Sequence, residues 1–221
     1  MLRLASVAWL LVLAGAGDAI AQAPPASVMP LSSSSGNLCA GVKVSSRIVL
    51  TAGHCVGPLT TWLSMLDSSG TLVAGAVQAI HATLDLALVC VPPMAAPVAA
   101  LAAAVPAVND PLQIGGFSGG KWSGTTIVTA TDPADHAFVV DTIPPSLTAA
   151  RPCPGDSGSP AFSNGQIVGI AKSVTNGTCG EPATYQSTRG LDSWIAQSDT
   201  APSCKKFIDT MLMLQNFKTA R

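Results

Sequence analysis

Charge is scarce in this chain: 11 Lys and Arg against 12 Asp and Glu in 221 residues leave 10% of positions charged and a net charge of −1. A surface of that kind carries no basic face for nucleic acid or an anionic membrane. The sequence contains no Cys-x-x-Cys pair and no cluster of acidic residues, so it offers no metal-ligand pattern, and no metal or cofactor is expected. No segment beyond the first residues is a transmembrane candidate, and the apolar run there, Val7 to Ala14, falls short of the roughly 20 residues that span a bilayer.

That first run reads as a secretory signal. Arg3 supplies the positive start, Val7 to Ala14 the apolar centre, and Ala19-Ile20-Ala21 a small-x-small cleavage site, placing the cut after Ala21 with Ala23 as the alternative. The mature chain is therefore expected to be secreted or periplasmic, without stable membrane insertion. About 200 residues would remain, which suits one large all-β unit or two small barrels. Six cysteines, an even number, in an exported chain favour disulfides over free thiols, with 15 connectivities open.

Composition divides the mature chain. Residues 22–37, rich in Pro, Ser and Ala without periodicity, predict a flexible arm. Residues 38–91 carry short branched apolar runs (Gly41 to Val44, Arg47 to Thr51, Thr71 to Val77, Leu84 to Val91) separated by Gly, Ser and Pro, the mark of antiparallel strands in a barrel or sandwich. Residues 92–111, mostly Ala, Pro and Val, read as a linker. Residues 112–190 repeat the strand pattern, in Leu112 to Phe117, Thr125 to Thr131, Ala137 to Asp141, Pro160 to Phe162 and Gln166 to Ser173. In 191–221, Leu191 to Gln197 predicts a helix, and the near-helical spacing of Phe207, Ile208, Met211, Leu212, Leu214 and Phe217 predicts a second, packed on the protein's own surface or docking elsewhere.

Three motifs carry chemistry. Gly155-Asp156-Ser157-Gly158-Ser159-Pro160 places a serine in a tight turn; Thr51-Ala52-Gly53-His54-Cys55 places a histidine beside a cysteine; and Asp85-Leu86-Ala87-Leu88-Val89 places an acid at the head of an apolar run. A serine hydroxyl is a poor nucleophile at neutral pH, so it needs a base, a group to orient the base, and donors for a developing oxyanion. His81 and His136 are the other histidines and are expected in surface or loop positions.

The order His, Asp, Ser with these flanks resembles the chymotrypsin-like (trypsin-like) serine proteases over about residues 37–196. Gln166-Ile167-Val168-Gly169-Ile170, Pro182-Ala183-Thr184-Tyr185 and the spacing to Trp194 match the family's later strands and terminal helix. The resemblance implies an all-β fold of two antiparallel six-stranded β-barrels with a C-terminal helix. It implies a triad of His54, Asp85 and Ser157, an oxyanion hole from the N–H groups of Gly155 and Ser157, and a polypeptide substrate. It implies bridges Cys39 to Cys55 and Cys153 to Cys179, which leaves Cys90 and Cys204 for the third.

The chain departs from the family at the pocket and at the amino terminus. The pocket-floor position falls on Arg151 rather than an acid, the wall glycine is replaced by Ala183, and the substrate-pairing segment is a loose match at Lys172-Ser173-Val174. Cleavage after basic residues is not expected. Either Arg151 pairs with an acidic side chain or it turns away and the pocket takes small apolar ones. No Ile-Val-Gly-Gly-like terminus lies between Ala21 and Cys39, so Asp156 needs a partner other than the usual cleaved ammonium, unless the mature terminus folds back to it. The reading is a secreted serine endopeptidase; the alternative is a catalytically silent homologue acting as a binding or scaffolding protein, and esterase chemistry would use the same groups.

Overall fold

The computed structural model describes residues 25–34, 36–57, 62–120, 122–141 and 152–219; the expected signal segment and Arg151 lie outside them. Twelve strands form two closed antiparallel barrels. The first is built from β1 (Val28–Ser33), β2 (Leu38–Lys43), β3 (Ile48–Ala52), β4 (Trp62–Leu66), β5 (Leu72–Ile80) and β6 (Leu86–Cys90), in the order β1-β2-β3-β6-β5-β4. The second comprises β7 (Pro111–Gly116), β8 (Trp122–Asp132), β9 (Ala137–Asp141), β10 (Pro160–Ser163), β11 (Gln166–Val174) and β12 (Ala183–Ser187), ordered β10-β11-β12-β9-β8-β7. Two helices follow, α1 (Asp192–Thr200) and α2 (Pro202–Thr219).

The hydrophobic pattern explains which strands sit deepest. β6 reads as an unbroken apolar run and β3 as one interrupted only by Thr51, and every residue of both is buried; one face fills the first barrel while the other meets the second barrel and the helices. They pair from Ile48 opposite Cys90 to Ala52 opposite Leu86. One core cluster accordingly joins Leu50, Leu63, Met65 and Leu88 to Phe162, Ile167 and Ile170 of the second barrel and Ile195 and Ile208 of the helices. The second barrel has its own core, in which the rings of Phe138 and Tyr185 stack at 5.7 Å.

The stretch expected to be a flexible arm departs from that expectation. Within 22–37, β1 pairs with β2 and with β4 and so closes the first barrel. Met29, Leu31 and Ser33 alternate inward, a period of two that Pro30 and the flanking serines conceal in the sequence.

Two devices fasten the pieces to one another. The Lys43 ammonium is buried and donates to the carbonyls of Met94 and Ala96 at 3.1 and 2.9 Å, while Asp67 accepts the Ala95 N–H at 3.0 Å. Burial pulls the Lys43 pKa down, and the Asp67 charge partly restores it. Together these bonds hold the start of the interbarrel linker on the first barrel, and Leu101 then bridges to Ile167 of the second.

The second device is covalent: the cysteines pair as Cys39–Cys55, Cys153–Cys179 and Cys90–Cys204. The last ties β6 to α2 across a separation of 114 residues. Replacing both Cys90 and Cys204 with alanine is expected to lower the unfolding free energy by about 2–4 kcal/mol, because the unfolded chain regains the freedom of a long loop. Equilibrium denaturant unfolding of the oxidised proteins measures it. An unchanged midpoint would show the bridge to be dispensable.

Candidate active site

The pairing of β3 with β6 sets the first half of the site. Because Ala52 faces Leu86, the residues just beyond them, the short 3₁₀ turn Gly53–Val56 and Asp85, emerge at the same end of the barrel. The Asp85 carboxylate then spans His54 twice: Oδ1 accepts the His54 backbone N–H and Oδ2 meets Nδ1, each at 2.8 Å. An ionised carboxylate only accepts, so the neutral imidazole carries its proton on Nδ1 and leaves the Nε2 lone pair open. The His54 side chain is 45% exposed and that of Asp85 20%, so the ring can meet a ligand while its anchor stays mostly covered. Burial pushes the Asp85 carboxyl upward, but the bonds and charge of His54, with a smaller contribution from the Lys172 cation, outweigh it and hold the group below its ordinary value.

His81 supports this geometry rather than competing with His54. Its ring Nδ1 accepts the N–H groups of Thr83 and Leu84 at 3.3 and 3.1 Å, closing the turn that delivers Asp85. Trp194 of α1 sets its ring edge-on against the imidazole at 5.0 Å. His136 lies in the β8–β9 turn with φ of 48°.

The second half of the site is a turn. Cys153 and Asp156 close it, the Asp156 N–H donating to the Cys153 carbonyl at 3.0 Å, and Gly155 sits in it at φ of +99°. Pro154 second and a left-handed glycine third are the signature of a type II turn. After it, the N–H groups of Gly158 and Ser159 donate to Ala171 and Asp156. Those of Gly155 and Ser157 donate to no acceptor among the described residues.

Ser157 is tied directly to the histidine barrel. Its carbonyl accepts the Ala40 N–H at 2.7 Å and lies 3.7 Å from the sulfur of Cys55, the neighbour of His54. The Cys39–Cys55 bridge thus fastens the serine turn, the histidine turn and β2 at one point. Cys39, His54 and Cys55 also bring ligand-type atoms within 4.8 Å of one another, but both sulfurs are spent in a disulfide and the lone imidazole does not make a metal site.

Asp156 is 1% exposed and accepts four donors: the backbone N–H groups of Phe117, Ser118 and Cys153 and the Ser118 hydroxyl. Nothing in the spacing of the sequence pointed to Ser118, which lies in a Gly-rich turn of ordinary composition. Burial, with the Asp156 charge adding to it, holds the nearby Tyr185 phenol far above its usual range.

The residues expected at the pocket are placed differently from one another. Ser173 is exposed on β11, opposite Thr184 beside a bulge. Ala183 is 1% exposed, pairs with Val140 and Val174 and belongs to the second barrel's core. Lys172, next to Ser173, acts through its charge on Asp85.

Two closed barrels followed by a C-terminal helix define a chymotrypsin-like architecture, and the chain belongs to the trypsin-like peptidase domain family, whose model matches residues 39–170. No curated protein matches the sequence. Among solved structures the chain is similar to the inactive form of a serine-to-alanine mutant of Rv3671c from M. tuberculosis H37Rv, at 17% identity over 80% of this chain and 88% of that one, with a TM-score of 0.60. It is similar to the scabies mite inactivated protease paralogue S-D1, at 15% identity over 80% and 95% with a TM-score of 0.66. Kallikrein-related peptidase 10 is similar at 21% identity over 78% and 94% with a TM-score of 0.63. Identities this low establish a shared fold.

Proposed function

We propose that this protein is an exported serine endopeptidase. In this reading the Ser157 hydroxyl attacks a peptide carbonyl as His54 Nε2 takes its proton, and the resulting oxyanion rests on the N–H groups of Gly155 and Ser157. His54 returns the proton to the leaving amine. A water, deprotonated by the same imidazole, then releases the acyl group. Asp85 holds the ring in the tautomer the first step needs and stabilises the imidazolium that forms.

The observation that carries the reading is the two-point hold of Asp85 on His54. A binding surface has no use for a carboxylate that fixes one imidazole tautomer, whereas a general base does. The two N–H groups left open on either side of Asp156 support it. A fluorophosphonate probe is expected to label the mature protein covalently, and Ser157→Ala to abolish labelling. An unreactive native protein would overturn the hydrolase reading in favour of a silent, partner-binding homologue.

A further inference from the structure

The turn that presents the two open N–H groups is anchored through the Asp156 side chain, and that anchorage is complete within the described residues. Oδ1 accepts the N–H of Phe117 at 2.7 Å and of Ser118 at 2.8 Å; Oδ2 accepts the N–H of Cys153 at 2.9 Å and the Ser118 hydroxyl. A carboxylate offers about four lone-pair sites, and all are filled. The surrounding backbone is shaped to it as well, since a Cβ at Gly116 would overlap Asp156 Oδ1. An incoming ammonium would have to displace a donor already in place.

We propose that Ser118 is a positioning residue. Its hydroxyl and N–H, with the amides of Phe117 and Cys153, take over the task of a neutralising cation and keep the oxyanion turn competent without a free amino terminus. The proposal rests on the hydrolase reading above. Buried charges need either a partner of opposite sign or several charge-assisted hydrogen bonds, and here the second solution is built from the β7–β8 loop and the serine turn itself. Ser118 is the only one of the three donor residues that contributes a side chain, so it is the one that substitution can test. Cleavage of the chain ahead of β1 has no role in creating activity.

Three forms of the mature chain are compared with the native one, using a fluorophosphonate and p-nitrophenyl acetate as acylating probes. A form whose amino terminus is blocked by a short extension is expected to react at the native rate. Ser118→Ala is expected to react about tenfold more slowly or worse, through kcat with KM little changed, as for loss of one hydrogen bond to a buried charge. Ser118→Thr, which keeps the hydroxyl, is expected to recover most of the rate. A blocked form that is inert, or a native form that gains reactivity when nicked ahead of β1, overturns the proposal; so does a Ser118→Ala protein that acylates at the native rate. The blocked form leaves the fold untouched, so the test survives if Ser118→Ala does not fold. An unreactive native chain is a different result: it removes the hydrolase reading and this proposal with it.

Discussion

Replacing Asp85 with asparagine is expected to lower kcat by about four orders of magnitude while leaving the fold intact. The carboxamide can keep one of the two bonds that Asp85 makes, its oxygen accepting the His54 backbone N–H that Oδ1 now accepts. Its NH₂ then faces Nδ1, where Oδ2 stands in the native protein. A donor facing Nδ1 forces the ring proton onto Nε2, and the base loses the lone pair with which it would take the serine proton. Turnover of an ester substrate and the rate of fluorophosphonate labelling both read this. A variant within tenfold of the native rate would mean that some other group orients His54.

The same substitution changes the response to acid. The folded-state pKa of Asp85 is depressed below the ordinary 3.8, so the stability it contributes is fully present above that value and is lost as pH falls through the folded one. The asparagine variant should therefore lose less stability than the native protein on acidification toward about pH 2.

Gly155→Ala is the second large effect expected, and its cause is separable from crowding. A Cβ at this position would meet only the Ser118 Cβ, at 3.7 Å, which is ordinary contact. The difficulty is the backbone: φ of +99° suits glycine and strains alanine by about 1–2 kcal/mol. The turn can relieve that strain by passing from type II to type I, which rotates the central peptide between residues 154 and 155 and carries its N–H to the opposite side. One oxyanion donor is then lost, which costs about 100- to 1,000-fold in kcat with a smaller change in KM. Unfolding free energy should fall by no more than the strain itself, since the four donors to Asp156 persist. Equal losses in stability and in labelling of a folded protein would argue against a turn flip.

Much of this architecture was legible in the sequence because its strongest signals are local. The buried strands β3 and β6 are apolar runs broken only by Thr51, and the three motifs stand at the ends of such runs or in a glycine turn. Two of the cysteine pairs follow from family likeness and the third, Cys90 with Cys204, is what they leave over; these are the pairs observed. What could not be read depends on contacts between distant segments. β1 is a strand because two neighbours flank it and cover Met29 and Leu31; alone, its proline and serines look like a tether. His81 matters through two amides and a tryptophan more than a hundred positions away. Ser118 lies 38 residues from Asp156, and no spacing rule joins a turn serine to a particular acid. The burial of Ala183 likewise follows from β12 running between β9 and β11.

The bridge from Cys90 to Cys204 has a consequence for the order in which the molecule is made. All six strands of the first barrel are complete in sequence by residue 90, yet the sulfur that locks β6 stands 114 residues further on, at Cys204. The native bridge of Cys90 therefore cannot close before nearly the whole chain has been made, so β6 waits on the last helix for its covalent lock.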